Sequence, residues 1–428
     1  MNPGVIINDD PNAHITHLKP MPAADEIVDR CIECGFCEPV CPSRTLTLSP
    51  RQRIVLYREI QRRDVAGEDI TKSELSDVFE YQGLDTCAAT GLCADRCPVG
   101  INTGDLVKKL RTAKYQKHET IARWTANHFG STTSLVKVGL RANQLSTSVF
   151  GERMMSGMVG GIRRITKGTT PVWLPETPTA NRHHLKHGVY GQPDNPKKVV
   201  YFPSCASRTM GQQRDNTDQR SLTEVTMSLL AKAGYTVIIP RELESQCCGM
   251  PYDSKGMNRI ATSKSQQLEA LLWEASNEGE IPVLMDTSPC TKRTLENISR
   301  PLSIFEPAGF VCEYLLNDLT LTPVNETVML HVTCSSRRMG LEDSMLRVAK
   351  ACAQDVVMPE HIQCCGWAGD KGFTTPELNQ AATAPLREQI PGNCRRGFSN
   401  SRTCEIGLSH HSGIPYQSIL YLVDDASR

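Results

Sequence analysis

The chain has 428 residues, in which 47 lysines and arginines balance 47 aspartates and glutamates. A formal net charge of zero gives no general attraction for nucleic acid, and the length predicts two or three domains at roughly 150 residues each. The lack of a long apolar run and of a secretory signal predicts a cytoplasmic protein that is at most peripheral on the inner face of the cell membrane. In a reducing compartment, 18 cysteines favour metal or redox chemistry over disulfides.

An irregular lead-in and then an α-helical domain are predicted at the N-terminus. Residues 1–25 are rich in Asn, Asp, His and Pro, without a lasting apolar period. Within residues 26–118, Ser49 and Pro50 predict the N-cap and first position of a helix that runs to about Arg63. Thr71 and Glu74 form a capping-box pattern that predicts a second helix, to about Tyr81.

The first cysteine run has the spacing of a bacterial two-cluster ferredoxin. It reads Cys31-x-x-Cys34-x-x-Cys37-x-x-x-Cys41-Pro42, a pattern in which the first three thiolates bind one cluster and the fourth reaches across to the other. Soft thiolate ligands suit iron–sulfur clusters. Structural zinc is the alternative, but zinc sites seldom use a third and fourth cysteine at these offsets followed by proline.

The second run is the same pattern with Thr90 in place of its second cysteine: Cys87-x-x-x-x-x-Cys93-x-x-x-Cys97-Pro98. By the crossing rule, Cys97 joins the first three cysteines of the first run at a [4Fe–4S] site. Three thiolates are then left for the second site, from Cys41, Cys87 and Cys93. Three ligands predict a [3Fe–4S] cluster, or a [4Fe–4S] cluster with one labile iron.

The segment from Cys87 to Asp105, with Cys-Pro-Val-Gly-Ile-Asn at 97–102, resembles the second motif of succinate dehydrogenase and fumarate reductase iron–sulfur subunits. Those subunits pair a [4Fe–4S] with a [3Fe–4S] cluster, so the resemblance implies an electron relay. It covers only about residues 28–112, and the plant-type [2Fe–2S] domain that precedes this region in those subunits is missing here. The succinate reaction is therefore not implied.

Residues 119–196 are predicted to form a basic helical connector and then a proline-rich linker, from Thr170 to Pro196. Between Lys108 and Lys167, basic residues are opposed only by Glu119 and Glu152. One interpretation is a solvated helical connector. The other is a docking face for an anionic membrane surface or a partner subunit, because basic amphipathic helices favour both.

Beyond the linker, short apolar runs alternate with helical stretches, which predicts α/β units with a mainly parallel sheet. Strands are predicted at 199–203, 237–240, 283–286, 328–332 and 356–359. Cys205-Ala-Ser-Arg-Thr-Met210 matches Cys334-Ser-Ser-Arg-Arg-Met339, and Gln246-Cys-Cys-Gly249 matches Gln363-Cys-Cys-Gly366. These matches predict two similar domains, residues 197–323 and 324–428.

Each repeat carries a set of four cysteines: Cys205, Cys247, Cys248 and Cys290 in the first, and Cys334, Cys364, Cys365 and Cys404 in the second. Adjacent cysteines followed by glycine suit a place where backbone passes close to a metal and two thiolates converge. The pattern resembles the CCG domain of heterodisulfide reductases, glycolate oxidase iron–sulfur subunits and anaerobic glycerol-3-phosphate dehydrogenase.

In those proteins a final Cys-x-x-Cys pair completes a unit that can hold a non-cubane [4Fe–4S] cluster. Here Thr287 and Ser401 replace the first cysteine of each final pair. The sequence therefore leaves three alternatives for these units: iron–sulfur binding, thiol redox chemistry, or a purely structural role.

The remaining cysteines and the histidines near the second unit receive no catalytic role. Cysteines 312, 352 and 394 fit no ligand spacing and are predicted to be ordinary buried residues. Histidines 331, 361, 410 and 411 could orient a quinone or shuttle protons, but a satisfied structural histidine is the favoured interpretation.

A ferredoxin module followed by two CCG units resembles, over nearly the whole chain, the C-terminal half of the large flavin-dependent D-lactate dehydrogenases. Residues 30–42 and 87–93 are especially similar, and Asn2-Pro-Gly-Val-Ile6 is similar to the tail that closes the flavin domain of those enzymes. The resemblance implies FAD on an upstream domain or a partner subunit, and a membrane quinone or cytochrome as acceptor. The chain itself has no G-x-G-x-x-G or Walker loop for a nucleotide.

D-lactate is the donor that the resemblance favours, because glycolate-type subunits carry a full cysteine set where this chain has Thr90. One rival interpretation is a subunit of a glycolate or glycerol-3-phosphate dehydrogenase complex. Another is a heterodisulfide-reductase-like subunit that cleaves a thiol-linked substrate at a CCG site. The third is an iron–sulfur scaffold without turnover.

Overall fold

A computed structural model describes residues 21–427 except Lys167, Thr169 and Asp215. The Asn-Pro-Gly segment at residues 2–6 lies outside the described residues. The predicted order of an α-helical ferredoxin-type domain followed by two α/β repeats is confirmed.

The ferredoxin-type domain is built from four helices and one π-helical segment. They are α1 (Pro50–Val65), α2 (Asp69–Phe79), the π-helical Glu80–Asp85, α3 (Leu92–Asp95) and α4 (Thr103–Tyr115). Helix α1 begins as predicted, since Ser49 caps it in a capping box with Gln52. The predicted start of the second helix at Thr71 is wrong: α2 begins at Asp69 without a side-chain cap, and its first turn holds Asp69 instead.

The connector is helical, as predicted, and it is long. A single 3₁₀ turn, Gln116–His118, leads into α5 (Glu119–Asn127) and α6 (Phe129–Ile165). Gly151, with φ of +76°, breaks α6 into two segments, because this left-handed conformation cannot continue a right-handed helix. No helix of the described ranges is long and apolar enough to cross a membrane.

The first α/β repeat contains a five-stranded sheet of order β1-β3-β2-β4-β5. Its elements are β1 (Gly188–Tyr190), β2 (Lys198–Phe202), α7 (Cys205–Thr209), α8 (Leu222–Lys232), β3 (Thr236–Ile239), α9 (Met250–Asp253), α10 (Asn258–Ala275), β4 (Val283–Met285), α11 (Ser288–Asn297), β5 (Ile304–Phe305) and α12 (Pro307–Phe310). Strand β1 pairs antiparallel with β3 and the other pairs are parallel. Strand β1 lies inside the segment predicted as linker.

The second repeat contains a four-stranded parallel sheet of order β7-β6-β8-β9. Its elements are β6 (Val324–Leu330), α13 (Cys334–Arg338), α14 (Glu342–Cys352), β7 (Ala353–Val357), α15 (Lys371–Thr374), α16 (Pro376–Thr383), β8 (Gly397–Ser399), α17 (Arg402–Ser412), β9 (Tyr416–Ser418) and α18 (Ile419–Ala426). This order repeats that of β3-β2-β4-β5, so the two halves share one topology.

The two repeats share a single hydrophobic core. Phe202 and Leu229 of the first repeat belong to the same buried cluster as Val348 and Leu422 of the second. The closing helix of each repeat packs on the other repeat, α18 against α8 and α12 against α14. The repeats are therefore held as one body, and their cysteine sets keep a fixed relation to each other.

Candidate metal centres

Four cysteines of the two ferredoxin-type runs line one cavity. Cys31, Cys34 and Cys37 lie on the loop before α1, and Cys97 lies between α3 and α4. Together with the open solvent at its mouth the cavity measures about 360 Å³, and Cys34 on its rim is exposed. The structure thus brings together the four cysteines that the crossing rule assigns to the [4Fe–4S] site.

A buried arginine fixes the loop around this first cavity. Arg58 donates to the backbone oxygens of Asp29 and Cys31, at 3.1 Å in each case, and pairs with the Glu33 carboxylate at 3.2 Å. Buried carbonyl groups need hydrogen-bond donors, so Arg58 stabilises the curved loop. Glu33 and Gly35 both have positive φ, which turns the chain between the cysteines.

A second cavity, which measures about 340 Å³ together with the open solvent at its mouth, is lined by Cys41, Cys87, Cys93 and Thr90. These three cysteines are the ones that the sequence predicts for the second cluster. Thr90 lies beside them, at the position of the missing cysteine, and its hydroxyl accepts a hydrogen bond from the Leu92 backbone at 3.4 Å. The wall of this cavity therefore offers three thiols and one hydroxyl.

Two buried arginines stand behind the second cavity. Arg53 Nη1 lies 3.7 Å from Cys41 Sγ, and Arg53 Nη2 donates to Ser43 Oγ at 2.9 Å. Arg111 donates to the backbone oxygen of Cys87 at 2.7 Å. The positive charge of the two guanidinium groups would stabilise an anionic group held by the cysteines of this cavity.

The donor sets fit iron–sulfur clusters. Burial raises the pKa of Cys37 and of Cys93 to about 11, so these thiols become ligands when a metal takes the place of the proton. Within the part of the chain that the structure describes, no three His, Cys, Asp or Glu side chains lie close enough together to hold a single metal ion. Each cavity is instead lined by three or four cysteines, the number of thiolates that an iron–sulfur cluster needs.

The structure brings the four cysteines of the first CCG set together. Cys205 opens α7, Cys247 and Cys248 lie on the loop before α9, and Cys290 lies in the first turn of α11. Hydrogen bonds from the Cys247 and Cys290 thiols lower the pKa of Cys248, and the nearby Arg293 guanidinium acts in the same direction. Arg293 also donates to the Cys248 backbone oxygen at 2.9 Å.

The second CCG set repeats this arrangement. Cys334 opens α13, Cys364 and Cys365 precede Gly366, and Cys404 lies in the first turn of α17. Hydrogen bonds from the Cys334 and Cys365 thiols lower the pKa of Cys364. The adjacent cysteines of both sets are buried, and the backbone of each motif donates to them, as Gly366 N–H does to Cys364 Sγ at 3.3 Å.

The sequence suggests that the glycine of each CCG motif lets the backbone pass close to a metal. In the structure, the glycine instead leaves space for a neighbouring helix. Gly249 and Gly366 have φ of +85° and +72°. A Cβ on Gly366 would lie 2.6 Å from the backbone oxygen of Leu378 in α16, and one on Gly249 would collide with that of Ala261 in α10. The glycines therefore let a neighbouring helix pack against the cysteine loop.

Thr287 and Ser401, which replace cysteines of the CCG pattern, are buried N-cap residues of α11 and α17. The Thr287 hydroxyl donates to the backbone oxygen of Asn400 at 3.3 Å, and Ser288 N–H donates to the same oxygen at 2.9 Å. The substituted position thus contributes to the contact between the repeats. Four thiols remain in each set.

The second cavity lies directly against the second CCG set. Val40 and Leu92, which flank the cavity cysteines, form a buried cluster with Cys364, and Cys334 packs against it. Arg338 of α13 reaches across this boundary, donates to the Thr90 backbone oxygen at 3.4 Å and pairs with Asp95 at 3.3 Å.

The ferredoxin-type domain also contacts both repeats away from the cysteines. On the side of the first repeat, Lys108 pairs with Asp253 at 2.8 Å, and Arg111 donates to the Ser254 backbone oxygen at the same distance. On the side of the second, Lys371 donates to the Asp85 backbone oxygen at 2.6 Å. Burial and the Arg111 charge lower the pKa of Lys371 to about 7. These contacts hold the domain against both repeats.

Two of the residues left without a role lie near the second CCG set: Cys394 shares a buried cluster with Cys365 and Cys404, and His331 lies close enough to Cys364 for their charges to interact. Cys352 and Cys394 are buried, as predicted, whereas Cys312 is only partly buried. His331 is buried, donates to or accepts from Ser399 Oγ at 3.2 Å, and burial lowers its pKa to about 4. His410 pairs with Glu176 at 2.8 Å on the surface.

Sequence reasoning missed the cations that surround the second cavity. Arg53, Arg111, Arg338 and Lys371 belong to no spacing pattern, and each reaches its partner across a large separation in sequence. A lone arginine in a helix carries no local signal of burial. Only the fold reveals its neighbours.

Comparisons with known proteins agree with this arrangement. A model of the 4Fe-4S dicluster domain matches residues 27–101, and a model of the cysteine-rich domain, CCG, matches residues 199–291 and 328–408. The probable glycolate oxidase iron-sulfur subunit of Bacillus subtilis is 26% identical over 388 residues, which cover 82% of this chain and 81% of that protein.

Two further relatives belong to other enzymes. A subunit of the dihydromethanophenazine:CoB–CoM heterodisulfide reductase of Methanosarcina barkeri is 26% identical over 437 residues, covering 93% of this chain and 94% of that protein. A subunit of the anaerobic glycerol-3-phosphate dehydrogenase of Escherichia coli K12 is 23% identical over 386 residues, covering 86% and 90%.

A helical module with two cysteine-lined cavities, joined to paired cysteine-rich α/β repeats, defines an iron–sulfur electron-transfer protein. The chain contains a 4Fe-4S dicluster domain and two CCG domains, and over most of its length it is similar to the glycolate oxidase iron-sulfur subunit and to the related subunit of anaerobic glycerol-3-phosphate dehydrogenase.

Proposed function

We propose that this chain is the iron–sulfur part of a flavin-dependent D-2-hydroxyacid dehydrogenase whose donor is D-lactate. FAD is held by an upstream domain or a partner subunit, and a membrane quinone or cytochrome receives the electrons. Hydroxyacid oxidation releases two electrons, which a flavin can accept together and pass on singly. The likeness to subunits named for glycolate and glycerol-3-phosphate oxidation supports a hydroxyl-bearing donor.

The observation that carries the electron-transfer role is the contact between the second cavity and the second CCG set. Val40 and Leu92 are the buried side chains between them, with Cys364 in the same cluster. When bound, iron–sulfur clusters supply single-electron transfer at these cysteines. Apolar packing of Val40, Leu92 and Cys364 excludes water from the boundary, and Lys371 of the second repeat holds the two sides together through the Asp85 backbone oxygen.

The first cavity is the site where we propose that electrons enter. Cys34 is exposed there, and the neighbouring Ile32 and Phe36 are 59% and 64% exposed. An exposed apolar rim around a redox site is typical of a docking surface for a redox partner. We therefore infer that the flavin domain docks on this loop, since the second cavity already lies against the second CCG set.

The first cavity is assigned a [4Fe–4S] cluster held by Cys31, Cys34, Cys37 and Cys97. The second is assigned a [3Fe–4S] cluster, or one with a labile fourth iron, held by Cys41, Cys87 and Cys93. The four thiols of each CCG set are assigned a further cluster. The three-thiol wall with Thr90 beside it supports the second assignment.

The test is stopped-flow reduction of the flavin partner, mixed with or joined to this chain, by D-lactate, L-lactate, glycolate and D-2-hydroxyglutarate. D-lactate should reduce the flavin fastest, and this chain should accelerate transfer from the flavin to a quinone analogue or cytochrome. Cys34→Ser should abolish that transfer and leave flavin reduction intact, whereas Cys312→Ser, outside the sets, should change neither. Preference for another donor would refute the substrate, and cluster reduction by a hydroxyacid without flavin would refute the architecture.

A disulfide reductase subunit is the second candidate. The paired four-thiol CCG sets and the match to the heterodisulfide reductase subunit over most of both chains favour it. One experiment distinguishes the two functions. The chain is reduced with dithionite and then mixed with either a quinone analogue or a mixed disulfide, and its reoxidation is measured. Oxidation by the disulfide alone, lost in Cys364→Ser, would replace the dehydrogenase proposal.

A further inference from the structure

The connector exposes an apolar face that none of the sites above uses. We define the helical arm as α5 and α6, residues 119–165. Four side chains spaced three to seven residues apart on its first long segment are largely exposed: Leu135 (72%), Val138 (58%), Leu145 (68%) and Val149 (75%). Surface helices normally turn their apolar stripe to the core, so this stripe is inverted.

The inner face of the same helix is already packed on the protein. Phe129, Thr133, Thr147 and Met155 are buried, and the backbone oxygen of Gln144 accepts a hydrogen bond from Arg214 at 3.0 Å. Because the inner face already makes the contacts with the rest of the protein, the outer apolar stripe cannot pack on the same surface. Nothing within the described ranges of the chain covers it.

After the break at Gly151 the pattern resumes. Met154, Met158, Ile162 and Ile165 are spaced three or four residues apart and are 45% to 83% exposed. On α5, the exposed Trp124 stacks on His128 with ring centroids 4.8 Å apart. An exposed apolar stripe with an aromatic side chain at its end is typical of helices that lie in a membrane interface.

The charge of the helical arm indicates which kind of surface covers its exposed apolar face. From Phe129 to Ile165 the arm carries Lys137, Arg141, Arg153, Arg163 and Arg164 against the single acid Glu152, although the whole chain is neutral. No carboxylate of the described residues pairs with these cations, and Arg163 donates instead to backbone oxygens. Two copies of a basic face repel each other, whereas an anionic surface attracts it.

We propose that the helical arm docks on an anionic lipid bilayer, with its apolar stripe in the interface and its basic side chains other than Arg163 at the headgroups. The arm lies over the first CCG set: α6 packs on α7, which begins at Cys205, and on Leu243–Ser245 just before Cys247. Docking therefore holds the CCG cysteines close to the membrane surface. This inference does not depend on the identity of the donor.

The test is co-sedimentation of the anaerobically purified chain with vesicles of phosphatidylglycerol and phosphatidylcholine, and with phosphatidylcholine vesicles alone. Binding should require phosphatidylglycerol, weaken with added salt, and shift the Trp124 fluorescence to shorter wavelength, a shift that Trp124→Phe removes. Leu145→Glu with Val149→Glu should weaken binding at least tenfold.

The matched control is Val65→Glu with Ile70→Glu, at apolar residues that are 91% and 80% exposed outside the arm. It should bind like the unchanged chain, and equal iron content and circular dichroism show that both variants are folded. Failure of the unchanged chain to bind anionic vesicles, or equal binding by the arm variant, would overturn the proposal. So would self-association in light scattering that the arm variant abolishes, since a second copy would then be the occupant.

Discussion

Replacing Gly366 with alanine should damage the second CCG set, and Gly340 supplies a matched control. Both glycines have φ of +72° and both lie in the second repeat. A Cβ on Gly366 would lie 2.6 Å from the Leu378 backbone oxygen and 2.8 Å from Ala382 Cβ, whereas a Cβ on Gly340 would meet no atom within 4 Å. The two substitutions differ only in the close approach of α16.

The difference in stability follows from these contacts. At either position, an alanine with positive φ costs about 1–2 kcal/mol of unfolding free energy. At position 366 the crowded backbone oxygen cannot swing aside as a side chain would, which adds roughly 1–3 kcal/mol of overpacking. Gly366→Ala should therefore lose about 2–5 kcal/mol in all, from the sum of the two effects, and Gly340→Ala about 1–2 kcal/mol.

The assay is urea unfolding of the anaerobically purified variants, followed by circular dichroism, together with iron and acid-labile sulfide analysis. Gly366→Ala should also lose iron, because a shift of α16 moves Asn379, whose amide donates to the Cys365 backbone oxygen at 2.6 Å. Equal losses of stability in the two variants would show that the close approach to Leu378 is not what requires glycine. The same reasoning would then fail for Gly249.

Three further predictions concern the ferredoxin-type module and the core. The purified chain should hold about seven irons in that module, four plus three by ligand count, and Thr90→Cys should abolish the three-iron electron-spin signal; stoichiometric zinc without sulfide would contradict both. Arg338→Gln removes a cation above Thr90 and should make the reduction potential of the second site more negative in a potentiometric titration, whereas Arg337→Gln should not. Burial raises the pKa of Glu306 from 4.5 to about 7, so its contribution to stability is full below pH 4.5 and is lost as the pH rises through 7. Glu306→Gln should remove that loss, and urea midpoints at pH 5.5 and pH 8 that fall as much as in the unchanged chain would contradict this.

The sequence predicts the features that are determined by residues close together in the chain. The spacing of Cys31, Cys34 and Cys37 determines one tight loop, so their convergence follows from chain geometry alone. Ser49 caps α1 because its hydroxyl and Gln52 lie three residues apart. The predicted start of α2 is wrong because Asp69, in its first turn, interacts favourably with the helix dipole and competes with the Thr71 capping box.

The rest depends on contacts that no spacing encodes. Arg53 meets Cys41 across 12 positions, and Arg338 meets Thr90 across 248. The short strands β5 and β8 have two and three residues, too few for an alternating pattern to stand out. The exposure of the helical arm cannot be predicted either, because its apolar spacing would suit both a buried and an unpartnered face.

One of the two departures from the CCG pattern, Thr287, has a structural role in the fold. Thr287 is the N-cap residue of α11 at the boundary between the repeats, where one backbone oxygen of Asn400 accepts from both its hydroxyl and Ser288 N–H. A cysteine at position 287 would add a fifth thiol to the set, but as a weak hydrogen-bond donor it would weaken the contact with the Asn400 backbone oxygen. Asn400 in turn donates to Glu306, whose carboxylate also accepts from Gly309 N–H at 3.0 Å and caps α12 of the first repeat. The chain therefore has four thiols in the first set and, at the position of the fifth, a hydroxyl that contacts the second repeat, so helix α11 carries both Cys290 and a contact between the repeats.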